Sequence, residues 1–371
     1  MLVHPTSARD QELPPSVAPT VSVIVPARNE EASLGACLES IVGQEGIDFE
    51  VIVADDASTD RTRAIAQSFS GVRVISPSAL ASGWTGKNNA AAAGAEVALG
   101  DWLLFTDADT VHLPGSLTRA VTEAQHHGVA LLSYSPEQEV HTFWEKAVMP
   151  VIFAELASSF RLAEGRDPAS SSAAANGQYL LIARKAYDAV GGHVAIASSL
   201  LEDVELARAV KASGRKILFR FGGDAVRTRM YRSFAQLREG WTKNLALLFP
   251  STVRLAAMRL VEFLLINGNL LAGIVYLLRL EPASASITLG LFAILYANFL
   301  RRIAKARFGW RSGLLSLLGL PVFAYLLLRS RSSQRRGRVS WKGREYCTPP
   351  RAHSSNHLKE GTLLGLSHPQ S

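Results

Sequence analysis

Four aspartates follow two short apolar runs in the first third of the sequence. Asp55 and Asp56 come directly after one run, and Asp107 and Asp109 come directly after another. In an open α/β sheet, side chains that follow the carboxyl ends of the strands face the bound ligand. Carboxylates crowded into one small space repel one another unless they bind a cation or hydrogen-bond donors. Because Mg²⁺ and Mn²⁺ take carboxylate and phosphate oxygens together, this pattern indicates a divalent cation that bridges a diphosphate.

The segments around these aspartates alternate between strand and helix patterns from Val21 onward. This alternation predicts an α/β fold with a mostly parallel sheet covered by helices. The predicted strands are Val21–Pro26, Glu50–Ala54, Val72–Ile75, Trp102–Thr106, Gln178–Ile182 and Lys216–Phe219. The predicted helices run from an N-cap at Asn29 to Val42, from the turn at 55–58 to Phe69, over Lys87–Leu99 and over Glu202–Ser213.

Four sequence motifs resemble those of family 2 glycosyltransferases, in the same order and at similar spacing. They are VSVIVPARNEE at 21–31, VIVADDASTD at 51–60, FTDAD at 105–109 and LEDVELA at 201–207. The resemblance covers roughly 21–245 and implies the GT-A fold, a Rossmann-like α/β domain. It also implies a nucleotide-diphosphate sugar donor, a divalent metal ion (Mg²⁺ or Mn²⁺) and inversion at the anomeric carbon.

The resemblance implies roles for individual side chains as well. Asp203 matches the catalytic base, with Glu202 beside it, and Asp107 and Asp109 match the Asp-x-Asp motif that holds the metal ion. Without the resemblance, Asp56 is also typical of a helix cap, and Glu202 and Asp203 are typical of first-turn acids that the helix dipole favours. The implied donor-binding residues are Pro26, Ala27, Glu30, Asp55, Asp56, Lys87 and Asp107.

Two further segments suit a diphosphate and an acceptor. In GWTGKN at 83–88, two glycines permit a tight turn, and Lys87 at a helix start can reach a phosphate. The alternative for Lys87 is a solvated surface lysine. The resemblance places Asn176 and Gly177 on the acceptor side, where an ordinary loop turn is the alternative.

The segment that follows the predicted catalytic strands resembles carotenoid-type glycosyltransferases. It contains RMYR at 229–232 and EGWTKN at 239–244, and WKGREY at 341–346 resembles a tail motif of the same group. The resemblance implies that Arg229, Arg232 and Trp241 lie on the acceptor or diphosphate side. The alternatives are contacts of the arginines with lipid phosphates and an interfacial anchor at Trp241. QLREGW at 236–241 lacks the Gln-x-x-Arg-Trp offsets of processive polysaccharide synthases, which argues against polymer synthesis.

The charge of the chain divides sharply into two parts. Residues 1–228 carry 18 Lys and Arg against 27 Asp and Glu, and residues 229–371 carry 21 against 5, giving net charges of −9 and +16. This asymmetry excludes a nucleic-acid-binding domain, whose basic residues would cover the folded part. A hydrophobic content of 48% excludes a disordered chain. The two cysteines, Cys37 and Cys347, are too few for a disulfide framework.

Three apolar segments in the basic part predict a membrane region. Leu255–Leu278 and Pro282–Leu300 are long enough to span the ~30 Å hydrocarbon core as helices. Ser312–Leu328 is shorter, carries Pro321 and has arginines on both flanks. Because positive flanks stay in the cytoplasm, we expect this segment to be re-entrant or interfacial, unless the positive-inside rule fails here. The stretch His141–Phe160 suits a helix at the membrane interface or, equally, a core helix.

These patterns divide the chain into a loose leader without a signal peptide (1–20), a GT-A domain (21–245), a membrane region (246–330) and a basic, mostly disordered tail (331–371). The expected function is an inverting transfer of a single sugar to a lipid such as a carotenoid, hopanoid, polyprenyl phosphate or glycerolipid. The alternatives are a processive polysaccharide synthase and a catalytically silent nucleotide-sugar-binding membrane protein. We expect a multi-pass protein of the inner cell membrane with a cytoplasmic catalytic domain, and neither nucleic acid nor an obligate protein partner.

Overall fold

The computed structural model of the chain describes residues 20–159, 173–249, 251–341 and 343–347. The leader before residue 20 and the tail beyond residue 347 lie outside the described residues. The strands are β1 (Val21–Ala27), β2 (Phe49–Asp55), β3 (Val72–Ile75), β4 (Trp102–Phe105), β5 (Thr110–His112), β6 (Leu131–Ser135), β7 (Glu137–Gln138), β8 (Leu180–Ala183), β9 (Ile217–Phe221), β10 (Val226–Thr228), β11 (Arg338–Trp341) and β12 (Arg344–Cys347).

The helices fall into a group within the predicted catalytic domain and a longer, more apolar group after it. The first group is α1 (Leu34–Val42), α2 (Thr62–Gln67), α3 (Gly86–Val97), α4 (Ser116–His127), α5 (Phe143–Ser159), α6 (Arg184–Ala189), α7 (Gly192–Ala195), α8 (Glu202–Ala212) and α9 (Phe234–Leu248). The second group is α10 (Thr252–Leu278), α11 (Pro282–Ala304) and α12 (Trp310–Arg335).

Seven strands form the central sheet in the order β3-β2-β1-β4-β8-β6-β9. The pairs β3–β2, β2–β1, β1–β4 and β6–β9 are parallel, which confirms the predicted mostly parallel sheet. Only β8 runs antiparallel to both of its neighbours, β4 and β6. The first four strands match their predicted bounds to within one residue at each end, because buried strands of a parallel sheet leave continuous apolar runs in the sequence.

A second, three-stranded sheet in the order β5-β10-β7 was not predicted from the sequence. Its strands are two or three residues long, which is too short to leave a periodic pattern. The sheet fixes the loop that follows β4, since the Thr228 hydroxyl on β10 donates to the Asp109 carbonyl at 3.1 Å.

Two helices begin later than the sequence predicted. α1 begins at Leu34, not directly after Asn29, and α2 begins at Thr62 instead of in the turn at 55–58. Asn29 has a φ of +52°, outside the helical region, and its side-chain oxygen accepts the Thr59 backbone N–H at 2.9 Å. Because the loops after β1 and β2 hydrogen-bond to each other in this way, both segments remain non-helical at the sheet edge, and each helix begins only after its loop.

The segment predicted as either an interfacial or a core helix is α5, whose residues up to Ser159 are described. Its central residues, 147–152, are all buried, which favours the core alternative over most of its length. The N-terminal Phe143 and Trp144 are exposed. α5 packs along α12, and the two helices approach closely at Gly319, where a β-carbon would lie 2.0 Å from the Ala147 carbonyl oxygen.

The three apolar helices are each long and apolar enough to cross a membrane. α10 and α11 pack against each other. Within the most apolar 18 residues of each of these two helices, only 11% are buried, whereas 50% are buried in the most apolar 18 residues of α12. α12 is one continuous helix that contains Pro321. Its C-terminal half is bound to α9: the Ser330 hydroxyl accepts the Ala246 N–H at 2.8 Å, and the Gln334 amide donates to the Lys243 carbonyl at 3.2 Å.

Four charged side chains join α5 to the base of the α10–α11 pair. Arg259 on α10 donates to Glu155 on α5 at 3.2 Å and to Glu262, one turn further along α10, at 2.8 Å. Arg302 on α11 contacts both of these glutamates, with its Nη2 2.6 Å from Glu262. The two arginines and the two glutamates alternate and are largely shielded from solvent. Replacing one of them with a neutral residue would therefore leave a shielded charge without its partner. The cluster therefore ties α5 to the apolar helices.

The last described element is a hairpin of β11 and β12 that follows α12 directly. The backbone turns at Gly337 and Gly343, both at positive φ (+66° and +75°), a region that glycine enters without strain. The hairpin lies against α9 and the end of α12, so after its third apolar helix the chain returns to the helix that precedes the apolar group.

Candidate active site

A cavity of about 890 Å³ opens at the carboxyl ends of β1, β2 and β4. It extends from these strand ends past α8 and α9 to α5 and to the loop between α11 and α12. A volume of this size lies within the range of small-molecule binding sites. Every predicted site residue except Asp55 lines it: Pro26, Ala27, Glu30, Asp56, Lys87, Asp107, Asp109, Asn176, Gly177, Glu202, Asp203, Arg229, Arg232 and Trp241.

Lys87 lies at the centre of the acidic group in this cavity. Its Nζ is 2.6 Å from Asp107 Oδ1 and 2.6 Å from Glu202 Oε1. α3 brings the lysine here because Thr85 caps the helix, accepting the Asn88 N–H at 3.2 Å. The alternative of a solvated surface lysine is therefore wrong, since Lys87 bridges the strand end of β4 and the start of α8.

Asp203 is held beside this bridge by two backbone N–H groups. Its Oδ2 accepts the Gly177 N–H at 2.8 Å, and its Oδ1 accepts the Val204 N–H at 2.8 Å. A β-carbon at residue 177 would lie 3.1 Å from Lys87 Nζ and 3.3 Å from Glu202 Oε1, so Gly177 makes this approach without a tight contact. Glu202 and Asp203 thus occupy the first turn of α8, as predicted, and face the cavity as well.

The two neighbouring carboxyl groups differ in their affinity for protons. Burial raises the pKa of Asp203, and the charge of Glu202 raises it further, to about 6. Burial also acts to raise the pKa of Glu202, but the Lys87 and Lys243 ammonium groups together outweigh it, and the pKa falls below its usual value. For Lys87, burial opposes the charged form, while Asp107 and Glu202 together hold the pKa well above its ordinary value. Of these two neighbouring carboxylates, Asp203 is therefore the one that takes a proton more readily.

Asp56 and Asp55, adjacent in sequence, have different surroundings. Asp56 lines the cavity, and Arg28 holds its backbone by donating to the Asp56 carbonyl at 2.6 Å. Asp55 points away: its carboxylate accepts the Ser58 N–H at 3.2 Å and lies 3.4 Å from Arg63. The structure therefore brings only Asp56 of the pair into the cavity wall, because alternation along the strand end directs the two side chains to different sides. A donor-binding role of Asp55 stays a prediction.

Asp107 and Asp109 lie in the cavity wall on the loop after β4, as the Asp-x-Asp pattern predicted. Among the described residues, no group of three or more His, Cys, Asp or Glu side chains is arranged to hold a metal ion. Mg²⁺ and Mn²⁺ need only one or two carboxylates when substrate phosphates and water complete the coordination. The two aspartates therefore fit an ion that binds together with a diphosphate.

Three residues predicted on the acceptor or diphosphate side, Arg229, Arg232 and Trp241, also line the cavity. Arg229 is paired with the buried Glu145 at 3.2 Å, and Arg232 donates to the Ala32 carbonyl at 3.2 Å. Trp241 is buried at 3% exposure, and its indole N–H donates to the Met149 sulfur at 3.4 Å. This burial contradicts the alternative reading of Trp241 as an exposed interfacial anchor.

Sequence reasoning missed part of the cavity wall. Lys243 on α9 lines the cavity, and burial lowers the pKa of its ammonium. Lys243 belongs to the EGWTKN segment at 239–244, so the resemblance of that segment to carotenoid-type glycosyltransferases could have identified it as a site residue. The apolar part of the wall, which includes Phe153, Leu156, Leu248 and Phe308, left no signal because α5, α9 and the loop after α11 meet only in the fold.

Comparison with known proteins gives a family match and full-length relatives. The family described as glycosyl transferase family 2 matches residues 22–190. The 4,4'-diaponeurosporenoate glycosyltransferase of Staphylococcus aureus strain MRSA252 is 30% identical over 339 residues, covering 88% of each chain. The protein of the same name from strain USA300 is 28% identical over 338 residues, again covering 88% of each chain.

Among solved structures, a mannosyltransferase from Pyrobaculum calidifontis in complex with GDP-Man and Mn²⁺ has a similar fold. The TM-score is 0.50, the identity is 17%, and the match covers 86% of this chain and 88% of the other. At this identity the likeness concerns the fold alone. It confirms the GT-A fold that the sequence motifs implied.

The raised pKa of Asp203 gives a prediction for stability. Its pKa is higher in the folded protein than in the unfolded chain, so its ionisation destabilises the fold increasingly as the pH rises toward 6 and fully above that pH. Asparagine cannot ionise. Between about pH 5 and about pH 8, the free energy of unfolding of Asp203→Asn should therefore rise by about 1 kcal/mol relative to that of the wild type. The melting temperature of the variant should rise by a few degrees relative to the wild type over the same range.

The measurement is thermal unfolding of both proteins in detergent across this pH range. The matched control is Asp188→Asn, an exposed aspartate on α6, whose difference from wild type should stay constant with pH. A difference for Asp203→Asn that is flat, or that falls as the pH rises, would contradict the raised pKa.

Proposed function

Because the chain belongs to glycosyl transferase family 2, we propose that it transfers one sugar from a nucleotide-diphosphate sugar to a carotenoid-type membrane lipid. The acceptor class comes from the relatives, whose names describe glycosyltransferases of 4,4'-diaponeurosporenoate. A lipid acceptor also suits the apolar helices, since a greasy substrate stays in the bilayer and the site must be held at its surface.

The observation that carries this proposal is the composition of the cavity from one end to the other. At the strand ends, its wall is acidic and contains Asp56, Asp107, Asp109 and Asp203. Toward the apolar helices, the wall includes four large apolar side chains, Phe153, Leu156, Leu248 and Phe308, beside the loop cations Lys305 and Arg307. One end therefore suits a metal-bound nucleotide sugar, and the other suits a lipid that enters from the membrane side.

Asp203 is the group we assign to proton transfer. Its carboxylate takes the proton of an acceptor hydroxyl as that oxygen attacks the anomeric carbon, and the bond between this carbon and the nucleotide diphosphate breaks. The leaving diphosphate keeps the electron pair, and Lys87 and Lys243, cations in the same cavity, offset its charge. A carboxyl acceptor would arrive ionised and would need no proton removed.

Asp107 and Asp109 are the residues that would hold a divalent ion. When bound with the donor, such an ion supplies Lewis-acid stabilisation of the diphosphate. Lys87 already neutralises part of the charge of Asp107, so the two aspartates alone offer a weak site. Diphosphate oxygens are therefore needed to complete it.

For the membrane arrangement, we infer two crossings, by α10 and α11, and an α12 that lies at the interface on the catalytic side. The catalytic domain precedes α10, and the hairpin after α12 lies against α9 of that domain. An odd number of crossings would separate these parts, whereas two keep them together. Arginines on both flanks of α12 favour the cytoplasm for the whole catalytic side.

The test of the function is sugar transfer by membranes that contain the protein. Washed membranes supplied with UDP-glucose, UDP-N-acetylglucosamine or GDP-mannose, a carotenoid-type acceptor and Mn²⁺ should yield a lipid larger by one sugar, detected by mass spectrometry. Asp203→Asn should lower the rate with a hydroxyl acceptor at least about 100-fold, because the general base is lost. The exposed Asp188→Asn should keep the wild-type rate.

The alternative functions give different products. A processive synthase would release a polymer in place of a lipid carrying one sugar. A catalytically silent protein would bind a nucleotide without turning over any of the three donors.

The metal site gives a second prediction. Mn²⁺ affinity, measured by calorimetry on the full-length protein, should rise at least about tenfold when UDP or GDP is present, because phosphate oxygens complete the coordination. Asp109→Asn should reduce this gain, whereas Asp101→Asn, an exposed aspartate at the other end of β4, should not. Mn²⁺ binding of equal strength with and without nucleotide would contradict the two-aspartate site.

The topology is tested by labelling single cysteines with a membrane-impermeant maleimide in spheroplasts. In a Cys347→Ser background, Glu281→Cys between α10 and α11 should react in intact spheroplasts, and Arg336→Cys after α12 should react only after permeabilisation. Both positions are exposed, while Cys37 is buried and burial raises the pKa of its thiol to about 12. Reaction of Arg336→Cys in intact spheroplasts would overturn the two-crossing arrangement.

A further inference from the structure

The C-terminal hairpin reaches the acidic end of the cavity through one side chain. Arg344, the first residue of β12, contacts both carboxylate oxygens of Asp56, with Nη2 donating to Oδ1 at 3.1 Å. The two residues are 288 positions apart in sequence. A two-point contact between an arginine and a carboxylate fixes the plane of the carboxylate as well as its distance.

The space for this contact exists because residue 86 is a glycine. A β-carbon on Gly86 would lie 2.3 Å from the Arg344 guanidinium and 2.3 Å from the Asp56 carboxylate. Gly86 is the first residue of α3 and directly precedes Lys87, so the Arg344–Asp56 pair lies beside the start of the helix that supplies the central lysine. In this geometry, the Arg344–Asp56 pair therefore requires a glycine at residue 86.

The main chain of Asp56 is held independently of its side chain. Its N–H donates to the Ala27 carbonyl at 2.8 Å, and its carbonyl accepts from Arg28 at 2.6 Å. With the backbone fixed by β1 and its following loop, the remaining freedom of Asp56 is rotation of its carboxylate, and Arg344 removes it. Because each carboxylate oxygen has two lone pairs, Asp56 can still accept a hydrogen bond from a ligand in the cavity.

We propose that Arg344 is a positioning residue of the donor site, which orients the Asp56 carboxylate toward the nucleoside of a nucleoside diphosphate. The ion pair also reduces the negative charge that an incoming diphosphate meets at this wall. The inference rests on the proposed function, because it takes a nucleotide to be the ligand here. It makes the hairpin after the last apolar helix a part of the donor site, outside the segment 21–245 that carries the glycosyltransferase motifs.

The test is a double-mutant cycle on the full-length protein in nanodiscs, with UDP and GDP, each with Mn²⁺, as calorimetric probes. Arg344→Gln should weaken binding of the preferred nucleotide by about tenfold, because the Asp56 carboxylate would then have to be ordered by the nucleotide itself. Arg344→Lys should recover part of this loss. Asp56→Asn combined with Arg344→Gln should bind within about twofold of Asp56→Asn alone, because Arg344 acts through Asp56.

Steady-state kinetics separate positioning from damage to the fold. Arg344→Gln should raise the KM for the donor and leave kcat within about twofold of wild type, because the proton-transferring side of the cavity is untouched. Arg336→Gln, an exposed arginine at the end of α12, is the matched control and should leave both constants unchanged. Gly86→Ala should reproduce the KM effect, since its β-carbon displaces the pair.

Two results would overturn the inference while leaving the proposed function intact. One is nucleotide binding by Arg344→Gln that equals or exceeds that of the wild type, which would make the hairpin neutral or a competitor of the nucleotide. The other is additive losses in the double mutant. A wild-type protein that binds neither UDP nor GDP would instead overturn the proposed function together with this inference.

Discussion

The site depends on one ammonium group placed between carboxylates that would otherwise repel one another. Lys87 joins the end of β4, through Asp107, to the start of α8, through Glu202. Without this cation, the acidic group would be protonated or driven apart. Lys87 contacts Glu202 directly, whereas for Asp203 burial and the charge of Glu202 outweigh the effects of Lys87 and of two backbone N–H groups, so the two carboxyl groups differ in proton affinity. One ion bridge thus sets the geometry of the site and separates the roles of its acids.

The direction of β8 explains how residues from distant parts of the sequence meet at this bridge. Residues that follow parallel strands gather at one sheet edge, but β8 runs antiparallel to β4, and Leu180 pairs with Phe105. The residues just before β8 therefore lie where those just after β4 lie. This places the Gly177 N–H against Asp203 and within reach of the Lys87 bridge. A parallel strand in the same position would have brought its following residues here instead.

The sequence allowed most of the sheet and the cavity wall to be predicted because both depend on local patterns. Buried strands such as β1 and β2 are continuous apolar runs, and the aspartates that follow them belong to motifs of fixed spacing. The differences between prediction and structure have tertiary causes. Asn29 bonds to the neighbouring loop and delays α1, and Asp55 turns toward Arg63 instead of the cavity. Arg344 could not be placed, since no local pattern pairs residues 288 positions apart.

The charge asymmetry of the chain follows from how its two parts meet. The acidic part supplies the aspartates of the cavity wall, and the basic part supplies cations of the same wall, Lys243 and Arg307, together with the Arg344 contact to Asp56. The loop between α11 and α12 lines the cavity, and α12 lies along α5 and α9. Separating the parts would remove Leu248 and Phe308 from the cavity wall and would break the contact between Arg344 and Asp56. The cavity that begins at the strand ends of the α/β domain is therefore completed by residues beyond position 245.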